Sequence, residues 1–120
     1  MSKGLTWEDV VSIGLGFPEV TEGTTHGHPC LRVGKKFVTR LNDEREPSIV
    51  VMLGSVDEQQ HLLELDPVRY HITPHYNGYP AALMRLAEIG RADVAAYIER
   101  RFRAVATKRA IKALEEQQGG

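Results

Sequence analysis

Cys30-Leu31-Arg32-Val33-Gly34-Lys35-Lys36-Phe37-Val38-Thr39-Arg40-Leu41 is the stretch on which the fold turns. Two short apolar-and-basic runs flank Gly34-Lys35, a pair suited to a tight reversal, and the whole reads as a β-hairpin. Alternation at period two puts Leu31 and Val33 on one face, with Cys30 and Arg32 on the other. In the second strand Phe37, Thr39 and Leu41 alternate with Lys36, Val38 and Arg40.

Working outward, the polar connection Asn42-Asp43-Glu44-Arg45-Glu46-Pro47 leads into Ser48 to Leu53, a β-branched run that predicts a central strand buried on both sides. Ser55 or Asp57 then caps a short helix through about Leu65, with Leu62, Leu63 and Leu65 available for packing, and Pro67 stops it. Tyr70 to Thr73 predicts a short strand, His75-Tyr76-Asn77-Gly78 a tight turn, and Tyr79 to Leu86 the last strand. Upstream, Thr6 is the N-cap of a helix carrying Trp7, Val10, Val11 and Ile13 inward until Gly14, Gly16 and Pro18 end it; residues 20–28 fit an irregular strand or loop. Downstream of Gly90 and Asp93, Val94, Ile98, Phe102 and Val105 mark one face of a long helix. That phase fails after Ala106, so a kink or restart is expected near Thr107, a second N-cap, with Ile111 and Leu114 packing from the new segment. The order predicts the α+β class: a single domain over residues 1–120, with an antiparallel sheet and helices on one face.

The chain has 120 residues, 42% apolar and 26% charged, which is the size of one domain and enough for one core. No apolar run approaches the ~18 residues that cross a bilayer. The first twenty residues hold Glu8, Asp9 and Glu19 and lack the order of a secretory signal. The expectation is a soluble cytoplasmic protein with no membrane partner. A single cysteine, Cys30, excludes an internal disulfide and a multi-cysteine zinc site.

Net charge is −1, which gives no global signature of a nucleic-acid binder, but the layout is uneven. Residues 31–42 carry Arg32, Lys35, Lys36 and Arg40 without an acid. Residues 100–112 carry Arg100, Arg101, Arg103, Lys108, Arg109 and Lys112, also without one. If the fold gathers the two clusters they form a cationic surface; otherwise they are ordinary solvated faces. Arg101, Lys108 and Lys112 fall within about 40° of each other if one helix runs unbroken. Arg32, Lys36, Arg40 and Arg85 all lie in predicted strands, on one sheet face if the register allows.

Other chemistry concentrates in two motifs. His26-Gly27-His28-Pro29-Cys30 offers imidazole and thiolate of the kind that bind zinc or copper, or a thiol with a neighbouring base. No second group of cysteines or paired acids completes a metal site, and a lone cysteine is more often a small buried hydrophobe. Tyr70, Tyr76 and Tyr79 gather with His71, His75 and Asn77 around Gly78, either to pin the turn or to bind a ligand. Neither Gly34-Lys35-Lys36 nor Gly14-Leu15-Gly16 has the context of a phosphate-binding loop.

The string His28-Pro29-Cys30-Leu31-Arg32-Val33-Gly34-Lys35-Lys36-Phe37, then Asp66-Pro67, then Ile72-Thr73-Pro74-His75-Tyr76-Asn77-Gly78-Tyr79-Pro80, resembles the MmcQ/YjbR-like family of small bacterial proteins. Phe102 to Arg109 is similar to a stretch where family members often have proline at the place of Thr107. The resemblance spans about residues 6–114. It implies a compact α+β fold and the common label of DNA-binding protein, through a likeness to winged motifs, and it implies no catalytic residue and no cofactor.

Three function classes follow. The first is a non-enzymatic module that binds DNA weakly and without sequence preference, with Arg32, Lys35, Lys36, Arg40, Arg101, Lys108 and Lys112 on phosphates. The second is a small-ligand or enzymatic site around His28, Cys30, His75, Tyr76 and Tyr79, which requires a pocket joining the two motifs. The third is a protein-interaction or self-associating domain that uses the sheet edge or the apolar residues around Ile111 and Leu114.

Overall fold

Thr6 caps the first helix, α1 (Trp7–Gly14). Its hydroxyl accepts the Asp9 amide hydrogen at 3.2 Å, and the Asp9 carboxylate accepts the Thr6 amide hydrogen at 2.8 Å. The reciprocal pair satisfies two of the amides that a helix start leaves orphaned. The computed structural model describes residues 4–119. Six strands follow: β1 (Val20–Thr25), β2 (His28–Val33), β3 (Lys36–Asn42), β4 (Ser48–Met52), β5 (Tyr70–His71) and β6 (Ala81–Arg85). They form one antiparallel sheet in the order β1-β2-β3-β4-β6-β5, which places β4 centrally as its apolar run requires. The other helices are α2 (Val56–Leu65), α3 (Arg91–Val105) and α4 (Lys108–Gly119), and the protein is α+β. Among the described residues no helix is long and apolar enough to cross a membrane.

Residues paired across an antiparallel ladder share a face. The pairs Val20–Val33, Ile49–Met84 and Val51–Ala82 mark the face under the helices. They join Val10, Ile98, Phe102 and Leu114 in the main core. The opposite face carries Cys30, Arg32, Val50, Met52, Leu83 and Arg85, and the segment after β5 folds back so that Tyr76 packs on Val50, Ala81 and Leu83.

Strict alternation does not hold in β3. The register runs Cys30–Arg40 and Leu31–Thr39, then Arg32–Phe37 and Val33–Lys36, so Val38 is an extra residue, a β-bulge. Phe37 therefore lies on the face opposite Thr39 and Leu41, together with Arg40 and Arg32. Lys36, opposite Val33, lies on the helix side, so the four strand cations do not share one face. Beyond Leu41–Ile49 and Asn42–Ser48 the β3–β4 ladder stops. Side chains bridge the gap: Thr39 donates its hydroxyl to the Val50 carbonyl at 2.6 Å. The Tyr97 hydroxyl donates to the Val38 carbonyl at 2.7 Å and accepts from the Met52 amide at 2.9 Å. Burial pushes the Tyr97 phenol up to about 12, so it stays a neutral donor.

One helix departs from the sequence pattern and the C-terminal pair follows it. In α2, capped by Ser55, the buried residue is Gln59, while Leu65 stands 68% exposed and Leu62 and Leu63 are half-buried. Its amide nitrogen donates to the carbonyls of Tyr76, Tyr79 and Ala81 at 2.7–2.8 Å, a polar demand that outranks leucine at that position. At the C-terminal end, Ala106 is extended and Thr107 caps α4 through the Ala110 amide at 3.1 Å. The restart at Thr107 is as expected, and the shared angular position of Arg101 with Lys108 and Lys112 goes with the unbroken helix it required. Leu114 is buried in the core and Ile111 packs against it, so neither is an apolar surface for a partner.

Candidate ligand-binding groove

Where β3 and β4 part, the face away from the helices opens into a groove of about 540 Å³. Its floor is Phe37, Val50 and Met52, and its walls are Tyr76 and Tyr79 with His75 on one side and Thr25 with His26 on the other. Arg40 lies within it. The size falls in the range of small-molecule sites, with mostly apolar and aromatic walls and a few polar groups.

Local sequence explains each wall. His26 and Gly27 both have positive φ, 50° and 79°, as a two-residue reversal between β1 and β2 demands. Histidine tolerates that left-handed region better than most residues, at some cost in strain. The opposite wall is the one-turn 3-10 helix Pro74–Tyr76, held from beneath by the Gln59 amide. Within it the His75 ring stands edge-on to Tyr76 with centroids 5.1 Å apart, and Tyr79 lies 6.3 Å from Tyr76. Tyr79 is 48% exposed at the rim.

Arg40 is the one formal charge of the lining. It is half-buried; its guanidinium donates to the Leu41 carbonyl at 3.0 Å and to the Tyr76 hydroxyl at 3.3 Å. Among the described residues no carboxylate lies within 4 Å of it, as is also true of Arg32, Arg45 and Arg101, whereas Arg69, Arg85, Arg91, Arg100, Arg103 and Arg109 each have at least one; of the unpaired four, Arg40 is the one that lines the groove. The lining contains no acidic residue.

Of the motif residues expected to meet, His75, Tyr76 and Tyr79 line the groove, and His28 and Cys30 do not. Cys30 is 1% exposed. The Arg32 guanidinium bonds to the Thr24 carbonyl at 2.9 Å and lies over Gly23, where a Cβ would approach it to 2.5 Å and the Cys30 sulfur to 3.8 Å. The thiol is thus a packed core group, with no open approach for a nucleophile's substrate. Among the described residues no three His, Cys, Asp or Glu side chains converge as a metal would need. His26, Phe37 and Arg40 are groove residues that the sequence pattern assigned elsewhere.

The basic clusters meet only in part. Arg101 donates to the Phe37 carbonyl at 2.9 Å, which sets it beside Lys36. The Glu19 carbonyl accepts the Gly34 amide hydrogen, and its carboxylate reaches Arg109 at 3.5 Å, so the β2–β3 turn with Lys35 and the start of α4 flank one residue. Lys108 and Lys112 point away from the buried side of α4, set by Ala110 and Leu114. Arg32 and Arg40 lie across the sheet from them. Arg100 is neutralised by Glu58 at 2.7 Å, and Arg103 by Glu99 and Glu115.

A second hollow of about 250 Å³ lies between α2, β5 and α3, and the ion pairs Arg100–Glu58 and Arg69–Asp93 already balance its charges. On the other face, His71 shares a short hydrogen bond of 2.8 Å with Ser48, whose side chain is fully buried, so the pair has no access to substrate.

Among known proteins, the uncharacterized protein Rv2570 of Mycobacterium tuberculosis (strain ATCC 25618 / H37Rv) is 30% identical over 127 residues, covering 95% of this chain and 98% of the relative. The uncharacterized protein Mb2600 of Mycobacterium bovis matches to the same extent. The chain belongs to their family. No family model matches the chain, and no solved structure does. The relatives' names state no activity, so the chemistry rests on the residues themselves.

Proposed function

We propose that this protein is a non-enzymatic binding module whose ligand is a small molecule seated in the groove of the open sheet face. The observation that carries the reading is a single one. A cationic side chain is held half-buried among aromatic walls without a carboxylate to neutralise it. Burying charge is costly unless it is paired, and a site kept ready for a ligand is where such an arrangement is retained. The test is a thermal-unfolding screen across metabolites of different charge. A ligand at a hundredfold excess over its Kd stabilises by about 2.7 kcal/mol, an easily read rise in midpoint. A flat response across the panel sinks the reading.

A second reading is supported by the tie between Arg101 and the Phe37 carbonyl. Lys35, Lys36, Arg101, Lys108 and Lys112 have no carboxylate within 4 Å among the described residues, and they are the set we propose for weak contact with DNA phosphates. Arg32 and Arg40 sit on the other face and drop out of that set. Titrating labelled duplex at several salt concentrations tests it. Five phosphate contacts give a slope of about −4.5 in log K against log salt, and absence of binding at low salt removes the reading. The MmcQ/YjbR-like assignment is likewise our own; it is supported by the strings His28–Phe37 and Ile72–Pro80 and by the α+β architecture.

A further inference from the structure

We infer that the groove selects an anion: a carboxylate or phosphate group carried on a flat apolar body, with the charged end on Arg40 and the body along the aromatic wall. The inference rests on the groove being a ligand site and adds the chemical class of what fills it.

Arg40 has donors to spare. A guanidinium has five N–H groups in a fixed fork, and the protein accepts from two nitrogens, through the Leu41 carbonyl and the Tyr76 hydroxyl. Both acceptors are neutral, so the positive charge itself is left without a counter-ion. Carboxylates and phosphates match the geometry of the remaining fork, and a neutral acceptor would leave the charge unbalanced. The surroundings point the same way. The other polar side chains facing the cavity are Thr25, His26, His75, Tyr76 and Tyr79, and none is a carboxylate. A cationic ligand would find no carboxylate to pair with and would be repelled by Arg40. A bare inorganic ion would leave the half-buried Phe37 and Met52 uncovered in a cavity many times its size. Tyr76 is only 4% exposed and meets Arg40, so the open ring surface is that of Tyr79, 48% exposed at the rim, where a planar group gains offset or edge contacts.

Fixing Tyr76 also has a consequence for selectivity. Its hydroxyl meets Arg40, and its backbone carbonyl is tied to Gln59, so both ends of the residue are held before a ligand arrives. The wall and the charge are thus preorganised together, which lowers the ordering cost of binding.

The experiment is a set of titrations followed by amide ¹H–¹⁵N spectra of the intact chain. The probes are 2-naphthoate, 2-naphthyl phosphate, the neutral 2-naphthamide and inorganic phosphate. The expected result is saturable shifts at Thr25, Arg40, Val50 and Tyr79 with one or both naphthyl anions. The amide should bind at least tenfold more weakly, and inorganic phosphate should bind more weakly than naphthyl phosphate. The ratio of the two anions separates a carboxylate site from a phosphate site. Arg40→Gln should abolish the preference for the anion over the amide, Arg40→Lys should restore part of it, and Tyr79→Ala should weaken acid and amide alike. If Arg40→Gln fails to fold, added chloride serves in its place, because it should weaken naphthoate and leave the amide unchanged. Equal binding of naphthoate and naphthamide overturns the anion inference and leaves the groove reading standing. Shifts at none of these residues with any probe overturn the groove reading itself.

Discussion

Gln59 carries a cost that can be worked from its bonds. It is fully buried, and its amide nitrogen serves the carbonyls of Tyr76, Tyr79 and Ala81. Two N–H groups cannot give three full bonds, so one is shared, and two of the carbonyls keep a second donor: Tyr76 from the Tyr79 amide and Tyr79 from the Ala81 amide. Gln59→Leu keeps the volume and removes both donors. At about 1–2 kcal/mol for each bond lost in a buried setting, the loss is about 2–4 kcal/mol. For a chain of this length that lowers the melting temperature by roughly 8–16 °C. Gln59→Glu sharpens the test, because an ionised carboxylate would face carbonyl oxygens and its pKa in the folded state would rise. A raised carboxyl pKa favours the folded state below the unfolded value of ~4.3 and disfavours it as pH climbs above. The Glu variant should therefore be the weaker of the two at pH 7 and should recover relative to wild type toward pH 4. Urea unfolding of the three proteins at pH 7 and pH 4 measures both effects. A Leu variant within about 1 kcal/mol of wild type, or a Glu variant whose deficit does not change with pH, would refute the assignment of Gln59 as the tie that holds the groove wall.

Three further outcomes are expected. Tyr97→Phe strips the bridge between the Val38 carbonyl and the Met52 amide, which should cost about 2–3 kcal/mol in chemical denaturation and speed exchange of the Met52 amide; an unchanged exchange rate would contradict the bridge. Burial holds the His71 imidazole below its ordinary value, with Arg85 and Arg45 adding to the effect and Glu46 opposing it. The unfolded chain then binds the extra proton first, so stability should be complete above the unfolded value of ~6.5 and fall as pH drops below it, and His71→Gln should flatten that stretch of the profile. Thr107→Ala loses the α4 cap at about 1 kcal/mol, whereas Thr107→Pro recovers part of this through a stiffer unfolded chain, the extended Ala106 being suited to a following proline. Melting temperatures of the two variants decide the order.

Elements set by local chemistry were legible in the sequence. The Thr6 cap, the hairpin around Gly34-Lys35, the buried run at Ser48 to Met52 and the restart at Thr107 each follow from residues within a few positions of one another. Gln59 was not, because a glutamine on a short amphipathic helix looks solvated until three carbonyls from residues 76–81 arrive beneath it. The pairing of Arg100 was hidden for the same reason, because Glu58 lies 42 residues away along the chain, whereas Glu99 stands one helical turn before Arg103. Charge runs read from sequence overcount free cations whenever the fold supplies distant acids.

The groove itself turns on one residue of register. With strict alternation from Lys36, Arg40 would share a face with Lys36 and Val38, under the helices. A guanidinium there would displace apolar packing in a core built from Val38, Ile49, Ile98 and Phe102, with neither water nor a carboxylate to meet it. The extra residue at Val38 resolves that conflict. Val38 turns inward and gives its carbonyl to Tyr97, and the strand beyond it is shifted so that Arg40 faces Tyr76 on the opposite side with Phe37. No glycine marks the bulge, and the signal for it lies 59 residues away in a tyrosine on α3 whose hydroxyl needs a partner. Tyr97 and Arg40 are therefore coupled through β3. Weakening the Tyr97 bridge should disturb the position of Arg40 in the groove, even though the two side chains lie on opposite faces of the sheet.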